Sequence, residues 1–425
     1  MHQKTVIRGG VGVFVYPIGT EGGLAPSSSQ PPLNQEGFSQ TTQMAVTNNN
    51  FLTAASTLSN PFPNGIQPLG TAAPGLGTFL GQNIAFFNPR VRNPYSIRWN
   101  FGIERQLPGD MVLEVVYIGN HSVHLPVTTN LNGIPQQYLA SGWVRNQNVI
   151  NTLSSTVANP FAGLLPGSTS LNGSTVALSQ LLLPYPQFPS SGVTEQYNGA
   201  GSSYYESLNV GLRKRLSHSL SLTTSFAWTN LIDRRIYLNA FDAEPEKDTS
   251  VDSRPIRFIT AGTYQLPIGK GRWLNIGSGW KNGLLGGWVL NGIYTFQSGA
   301  PLSWGNLIYY GGDLHLNSRQ VNGPAFDITQ FNTVSAQQLA NNIRTFQTSF
   351  NNLRADPVNV MDASLMKEFH FSERRYFQLR FETFNTLNRP GFAAPNLTPT
   401  SSSFGLITAT VLNARNVQIG GRVVW

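Results

Sequence analysis

The chain contains no cysteine among its 425 residues. Disulfides, thiolate metal sites and a cysteine nucleophile are therefore excluded, and the absence suits an oxidising compartment where stray thiols are a liability. Charge is scarce too: Asp, Glu, Lys and Arg make up 11% of the chain, against about 25% in an average soluble domain. A soluble surface relies on charge, and little is on offer. No run of roughly 18 apolar residues occurs, so no membrane-crossing helix is expected; the mean hydropathy of −0.15 agrees. Helical periodicity is nearly absent, the best candidate being 334–348 in a polar stretch. No H-E-x-x-H, P-loop or G-x-S-x-G pattern is found, and no enzyme activity or cofactor is expected.

What remains is glycine (42), proline (27), 11% aromatics and many uncharged polar residues. That mixture suits a chain facing lipid on one side and water on the other. The net charge of +8 fits a surface near anionic headgroups. Nucleic-acid binding would call for clustered Lys and Arg. The short runs Arg213-Lys214-Arg215 and Arg374-Arg375 sit beside turns, so no nucleic-acid partner is expected.

Period-2 alternation recurs along the chain. In 95–105, Ile97, Trp99, Phe101 and Ile103 oppose Arg98, Asn100, Gly102 and Glu104. In 110–120, Leu113, Val115 and Tyr117 oppose Glu114. Runs at 204–215, 219–230, 256–266, 286–298, 358–368, 375–386 and 414–425 behave alike, and with 4–16 they make about ten strands. Their lengths exceed the soluble mode of 5–6 residues and match the 9–11 residues of a tilted membrane strand. Connections alternate: short at 106–109, 216–218, 267–283 and 371–374, long at 17–94, 121–203, 231–253, 299–356 and 387–411. Short periplasmic turns and long extracellular loops are the mark of an antiparallel transmembrane β-barrel. With Trp425 taken as periplasmic, every short connection falls on that side. Lipid demands closed hydrogen bonding, which favours a barrel over a soluble sandwich. Tyr95, Trp99, Tyr117, Trp228, Trp288, Tyr376 and Trp425 are candidates for interfacial girdles.

The order and spacing of several motifs resemble those of a known family. They include Lys4-Thr5-Val6-Ile7-Arg8-Gly9-Gly10-Val11-Gly12, Asn93-Pro94-Tyr95-Ser96-Ile97-Arg98-Trp99-Asn100, and Glu114-Val115-Val116-Tyr117-Ile118-Gly119. Further along stand Leu266-Pro267-Ile268-Gly269-Lys270-Gly271, Gly287-Trp288, Asn291-Gly292, Gln297-Ser298-Gly299-Ala300-Pro301, Arg380-Phe381-Glu382, Phe384-Asn385 and Leu387-Asn388. In these strands and turns the chain resembles the C-terminal barrel region of TonB-dependent receptors, in the Oar-like group of Acidobacteria. The resemblance implies a bacterial outer-membrane location, a barrel of about 22 strands around a plug, and energy from a TonB complex. Residues 1–425 are expected to be the C-terminal part of such a barrel, without signal peptide or plug. The TonB complex would then be a partner only through a plug contributed elsewhere. The implied function is transport of a bulky ligand (carbohydrate, peptide or siderophore); the alternative is a plug-less structural barrel without transport.

Candidate lumen-facing residues are Arg98, Glu104, Glu114, Arg213, Gln378, Arg380, Glu382 and Arg422. Opposite charges among them are expected to pair across strands and shape a pore field. The aromatic end at Trp425 is expected to act as an assembly signal, with outer-membrane lipid and the barrel-assembly machinery as partners. His121 and His124 form an H-x-x-H, but in a strand residues i and i+3 point to opposite faces, so no metal site is expected. Gly9, Gly10 and Gly12 read as structural glycines rather than a phosphate cradle, because no helix follows. The acidic stretch Asp242, Glu244, Glu246, Asp248 and Asp252 lacks calcium-loop spacing and is expected to be a solvated loop.

Overall fold

The computed structural model describes residues 4–17, 56–63, 65, 80–165 and 171–425. Among the described residues, ten long strands form one antiparallel meander in which each pairs with the next of the ten. They are β1 (Thr5–Val15), β2 (Tyr95–Leu107), β3 (Met111–Asn130), β4 (Val193–Ser217) and β5 (Leu220–Arg234). They continue as β6 (Ile256–Gln265), β7 (Trp288–Gln297), β8 (Val358–His370), β9 (Tyr376–Phe384) and β10 (Asn416–Val424). All ten coincide with the alternating runs of the sequence. Most of the connection 17–94 lies outside the described residues.

Register decides which side chains share a face. Ile103 stands opposite Val115, Val115 opposite Val210 and Val210 opposite Phe226. The row continues from Phe226 to Phe258 and on to Phe296. A one-residue slip in any pair would turn one strand's apolar set to the other side. The apolar row thus runs across six strands, from β2 to β7, and meets Asn359 on β8. Within the face one polar pair is matched: Thr224 and Thr260 hydroxyls lie 2.9 Å apart. On the same face Trp99 covers Gly119, where an added Cβ would lie 2.0 Å from the indole.

Two strands run longer than the sequence pattern predicts. At about 3.3 Å per residue, the 25 residues of β4 extend about 80 Å. A strand tilted by roughly 45° needs only 9–11 residues to cross a bilayer. The far halves of β3 and β4 therefore stand beyond any membrane, which shortens the expected loop 121–203 at both ends. Their pairing is bulged there, between Val123 and Thr129, and His124 and Tyr197 take positive φ of 57° and 55°. Bulges twist and bend a strand where no lipid demands an unbroken ladder.

The best helical candidate, 334–348, forms no α-helix; a single 3-10 turn, Ser335–Gln337, stands there. Its side chains had no apolar stripe to bury. Short helices form instead at Gln147–Ser154, capped by the Asn146 side chain accepting from the Val149 amide, and at Trp280–Leu285. Among the described residues, β1 and β10 each pair on one side only, so the sheet is an open meander.

Two outcomes test these faces. Phe226→Arg, mid-strand on the apolar face, should cost about 2–4 kcal/mol of folding free energy in lipid vesicles, and Ser225→Arg far less; denaturant titration of both variants checks this. Gly119→Val should destabilise by about 1–3 kcal/mol through overpacking against Trp99, and Trp99→Ala in the same chain should restore much of the loss.

Candidate functional site

The face opposite the apolar one is polar. Arg98, Glu104, Glu114, Arg213, Gln378, Arg380, Glu382 and Arg422 all fall on it by register. The structure brings them together in two groups. Near β1, Arg8 pairs with Glu104 at 3.4 Å, and Glu104 stands directly opposite Glu114. A small cavity of about 130 Å³ opens there, lined by Arg8, Asn100, Glu104 and Glu114. Arg98 is held by Asn120 at 3.3 Å, by the Tyr16 hydroxyl, and over the Phe14 ring at 5.0 Å. Near β10, Arg380 meets Glu382 at 3.3 Å, Glu382 accepts from Gln418, and Gln378 donates to Glu368 at 3.0 Å. Pairing across strands is thus realised mostly with residues outside the predicted set (Arg8, Glu368, Gln418). Among the described residues, Arg213 and Arg422 make no ion pair.

Between these groups the polar face carries neutral hydrogen bonds. Thr263 donates to the Asn291 amide oxygen at 2.9 Å, and Asn291 donates to Ser364 at 3.2 Å. The Asn291-Gly292 motif is explained by this ladder. Of the aromatic girdle candidates, Tyr95, Trp99, Tyr117, Trp228 and Trp288 share the apolar face. Tyr376 does not: it stands opposite His370, on the polar side, because it falls on the even positions of β9.

At the end carrying the long connections, the loops form an interlocked body. Segments 299–356 and 387–411 enclose a core of Leu302, Trp304, Leu307, Phe326, Phe331 and Phe404. Trp304 stacks on Phe331 at 5.5 Å and 4°, and Phe404 meets Phe331 edge-on at 5.5 Å. Asp356, with its side chain 1% exposed, accepts two bonds from Arg319 at 2.8 and 3.1 Å and one from the Phe392 amide at 3.1 Å. The same guanidinium lies over the Phe392 ring. One buried carboxylate thus clamps both segments.

The acidic stretch is the expected solvated loop only in part: Glu244 and Asp252 are exposed, while Glu246 and Asp248 are tied to a neighbouring segment. Glu246 accepts from the Thr348 hydroxyl at 2.8 Å, and Asp248 from Ser349 at 2.7 Å. Asn239 exchanges bonds with the Arg344 backbone, 2.8 and 3.0 Å. These ties bind 235–253 to 299–356. Burial pushes the Glu246 carboxyl up; Asp248 adds to the rise, while Thr348 and Arg344 oppose it. Arg145 reaches the Gln338 carbonyl at 2.7 Å, joining 131–192 to the same body. Within that segment the fully buried Asn132 donates to the carbonyls of Tyr185, Phe188 and Pro189 and accepts from the Tyr185 amide at 2.9 Å. A cavity of about 660 Å³ lies among these loops, lined by Val127, Asp233, Arg235, Tyr237, Glu246 and Asp248 among others.

His121 and His124 do not converge. His121 stacks on Tyr204 at 3.8 Å, and His124 meets Tyr95 edge-on at 5.8 Å. Among the described residues no group of three His, Asp or Glu could hold a metal ion. Sequence reasoning missed the cavity lining and the Asn132 and Asp356 clamps. The only trace was the Gln297-Ser298-Gly299-Ala300-Pro301 motif. Ser298 accepts from the Ile256 amide at 3.1 Å, and an added Cβ at Gly299 would lie 1.8 Å from the Ala355 carbonyl oxygen. That motif marks where the loop body is stitched to the sheet.

The chain belongs to the outer-membrane β-barrel domain family, whose model matches residues 1–418. It is a bacterial outer-membrane protein, and by the rule of short inner turns the loop body faces outward. No curated protein matches the chain. Among solved structures it is similar to the outer membrane transporter YddB from Escherichia coli, at 9% identity and TM-score 0.38, covering 81% of this chain and 35% of that one. It is likewise similar to the FrpB iron transporter from Neisseria meningitidis, at 9% identity and TM-score 0.36, covering 81% and 33%. The chain spans about a third of the length of both.

Asp356→Ala should cost the loop body about 1–3 kcal/mol, since it leaves the Phe392 amide and the part-exposed Arg319 guanidinium without their acceptor; limited proteolysis should then cut within 299–356 while the strands stay protected. A folded-state carboxyl raised above its ordinary value stabilises most when protonated. Burial of Glu246 should therefore cost the 235–253 and 299–356 junction least below the ordinary carboxylate range, and the junction should lose stability as pH rises through the raised value, even though the Thr348 bonds themselves favour the ionised form. Exchange of the Thr348 amide, corrected for intrinsic pH dependence, should show this in the native chain and not in Glu246→Gln.

Proposed function

We propose that this chain forms the outer-membrane wall and outer vestibule of a TonB-dependent transporter for a bulky ligand, of the Oar-like type that its strand motifs resemble. The observation that carries the reading is the union of a wide polar sheet face with an ordered, interlocked loop body at one end. A structural barrel needs neither a cavity of about 660 Å³ among its outer loops nor a core inside them. The polar face, with Arg98, Glu104, Glu114, Arg213, Gln378, Arg380, Glu382 and Arg422, lines the lumen. Its charges set the field along the ligand's path. Among the described residues β1 and β10 each keep one edge unpaired, and in lipid those edges must find hydrogen-bond partners. TonB acts on this wall only through a plug supplied from outside these residues. Energised uptake then follows the plug's movement, while the wall itself makes and breaks no bonds.

Uptake tests the reading. Cells carrying and lacking the gene are offered labelled oligosaccharide, peptide and ferric siderophore in turn. Loss of uptake of one of them in the deletion strain, with the same loss in wild-type cells treated with an uncoupler, supports a TonB-driven transporter. Uptake of all three unchanged by deletion favours the structural barrel.

Trp425 serves as the assembly signal read by the barrel-assembly machinery. Deleting Val423 to Trp425 should abolish heat-modifiable folded protein in outer membranes, whereas Trp425→Phe should preserve it. Normal assembly of the deletion would remove Trp425 from that role.

A further inference from the structure

One inner turn differs from the others. The connections β2–β3, β4–β5 and β8–β9 are tight, but β6 and β7 are joined by residues 266–287. This turn is a built motif. Leu274 donates to the Pro267 carbonyl at 2.9 Å and Gly269 to that of Leu274 at 3.1 Å. The Asn282 side chain accepts from the Lys270 amide at 2.7 Å, closing the turn against the helix Trp280–Leu285. Arg272 is pinned to Ser219 at 3.1 Å and Gln265 at 3.2 Å.

Despite this order the turn exposes its largest apolar groups. Trp273 is 86% exposed, Trp280 74%, Leu284 53% and Leu285 51%. Ordered exposed tryptophans on a motif with fixed hydrogen bonds signal a surface made for a partner. Lys270, Arg272 and Lys281 stand among them, and 266–287 contains no Asp or Glu. The motif also runs directly into the lipid-facing surface. Trp288, on the apolar face, donates its indole N–H to the Leu284 carbonyl at 3.1 Å. Lys367, likewise on that face, turns its ammonium to the Gly286 carbonyl and lies 5.7 Å from the Trp288 ring. A lysine stem along apolar surface with its head at a turn carbonyl is how such side chains meet a membrane boundary.

We infer that residues 266–287 form an interfacial foot that lies on the periplasmic leaflet, its Trp and Leu side chains in the headgroup boundary and its cations on anionic phospholipid. Tryptophan favours that depth, and Lys and Arg near it are drawn to anionic lipid. The inference depends on the barrel's orientation and not on which ligand, if any, is transported.

The absence of native cysteine makes the test direct. Leu284→Cys and, as a second site, Leu285→Cys are spin-labelled in the folded full chain, with Val144→Cys in the outer loops as the water-exposed reference (75% exposed). The chains are placed in vesicles of phosphatidylethanolamine with a minority of phosphatidylglycerol. The foot predicts several-fold lower collision of both inner labels with a water-soluble nickel chelate than at 144, and higher collision with dissolved oxygen. Reversing Lys270→Glu and Lys281→Glu together should return the labels toward water. Labels at 284 and 285 as open to the chelate as 144 would overturn the inference. Shielding that arises only on adding a periplasmic protein extract would overturn it in favour of a protein partner, and indifference to the charge reversal would overturn the anionic-lipid assignment.

Discussion

Everything in this molecule depends on one constraint: inside lipid, every backbone N–H and C=O must find its partner in the protein. From β2 to β9 the meander meets that constraint strand by strand, and its register then leaves the side chains no freedom of face. Ile103, Val115, Val210, Phe226, Phe258 and Phe296 fall in one row across six strands. The residues between them necessarily point to the other side. The polar ladder of Thr263, Asn291 and Ser364 is the consequence on that side.

Past the membrane boundary the constraint lapses, and the chain changes character. Water can satisfy the backbone there, so β3 and β4 tolerate bulges and positive φ. Order in the outer segments has to come from side chains. It comes from a small aromatic core around Trp304 and Phe331 and from buried polar groups acting as clamps. Asp356 holds two segments at once, and Asn132 gathers three carbonyls. A buried amide or carboxylate with all its partners in place specifies one conformation sharply, because any alternative leaves a desolvated group unpaired. The loops therefore form one ordered body around a cavity.

Several sequence motifs gain a physical meaning only in this setting. Asn385 and Asn388 both take φ of 50°, a conformation that asparagine tolerates better than most residues. Asn385 then donates to the Arg389 and Asn413 carbonyls at 3.0 Å, turning the chain out of β9. Gly299 permits the closest backbone approach between the β7 exit and Ala355. By contrast, the polar stretch 334–348, the best helical candidate in a chain with almost no helical periodicity, is mostly irregular, because its neighbours in space supply the hydrogen bonds a helix would have made for itself, as the Gln338 carbonyl taken by Arg145 illustrates.

The ten strands and the division of their residues between two faces were legible in the sequence, because alternation with period two is a local property of each strand. Which charges meet was not legible: Arg8 with Glu104 and Gln378 with Glu368 follow from register between strands. Nor were the loop body and its cavity, since Glu246 and Thr348 stand 102 residues apart and their contact leaves no period in the chain. The sequence by itself determined how each strand divides lipid from water; only the tertiary structure decided what the loops enclose, because that rests on a few long-range buried contacts rather than on any repeating pattern.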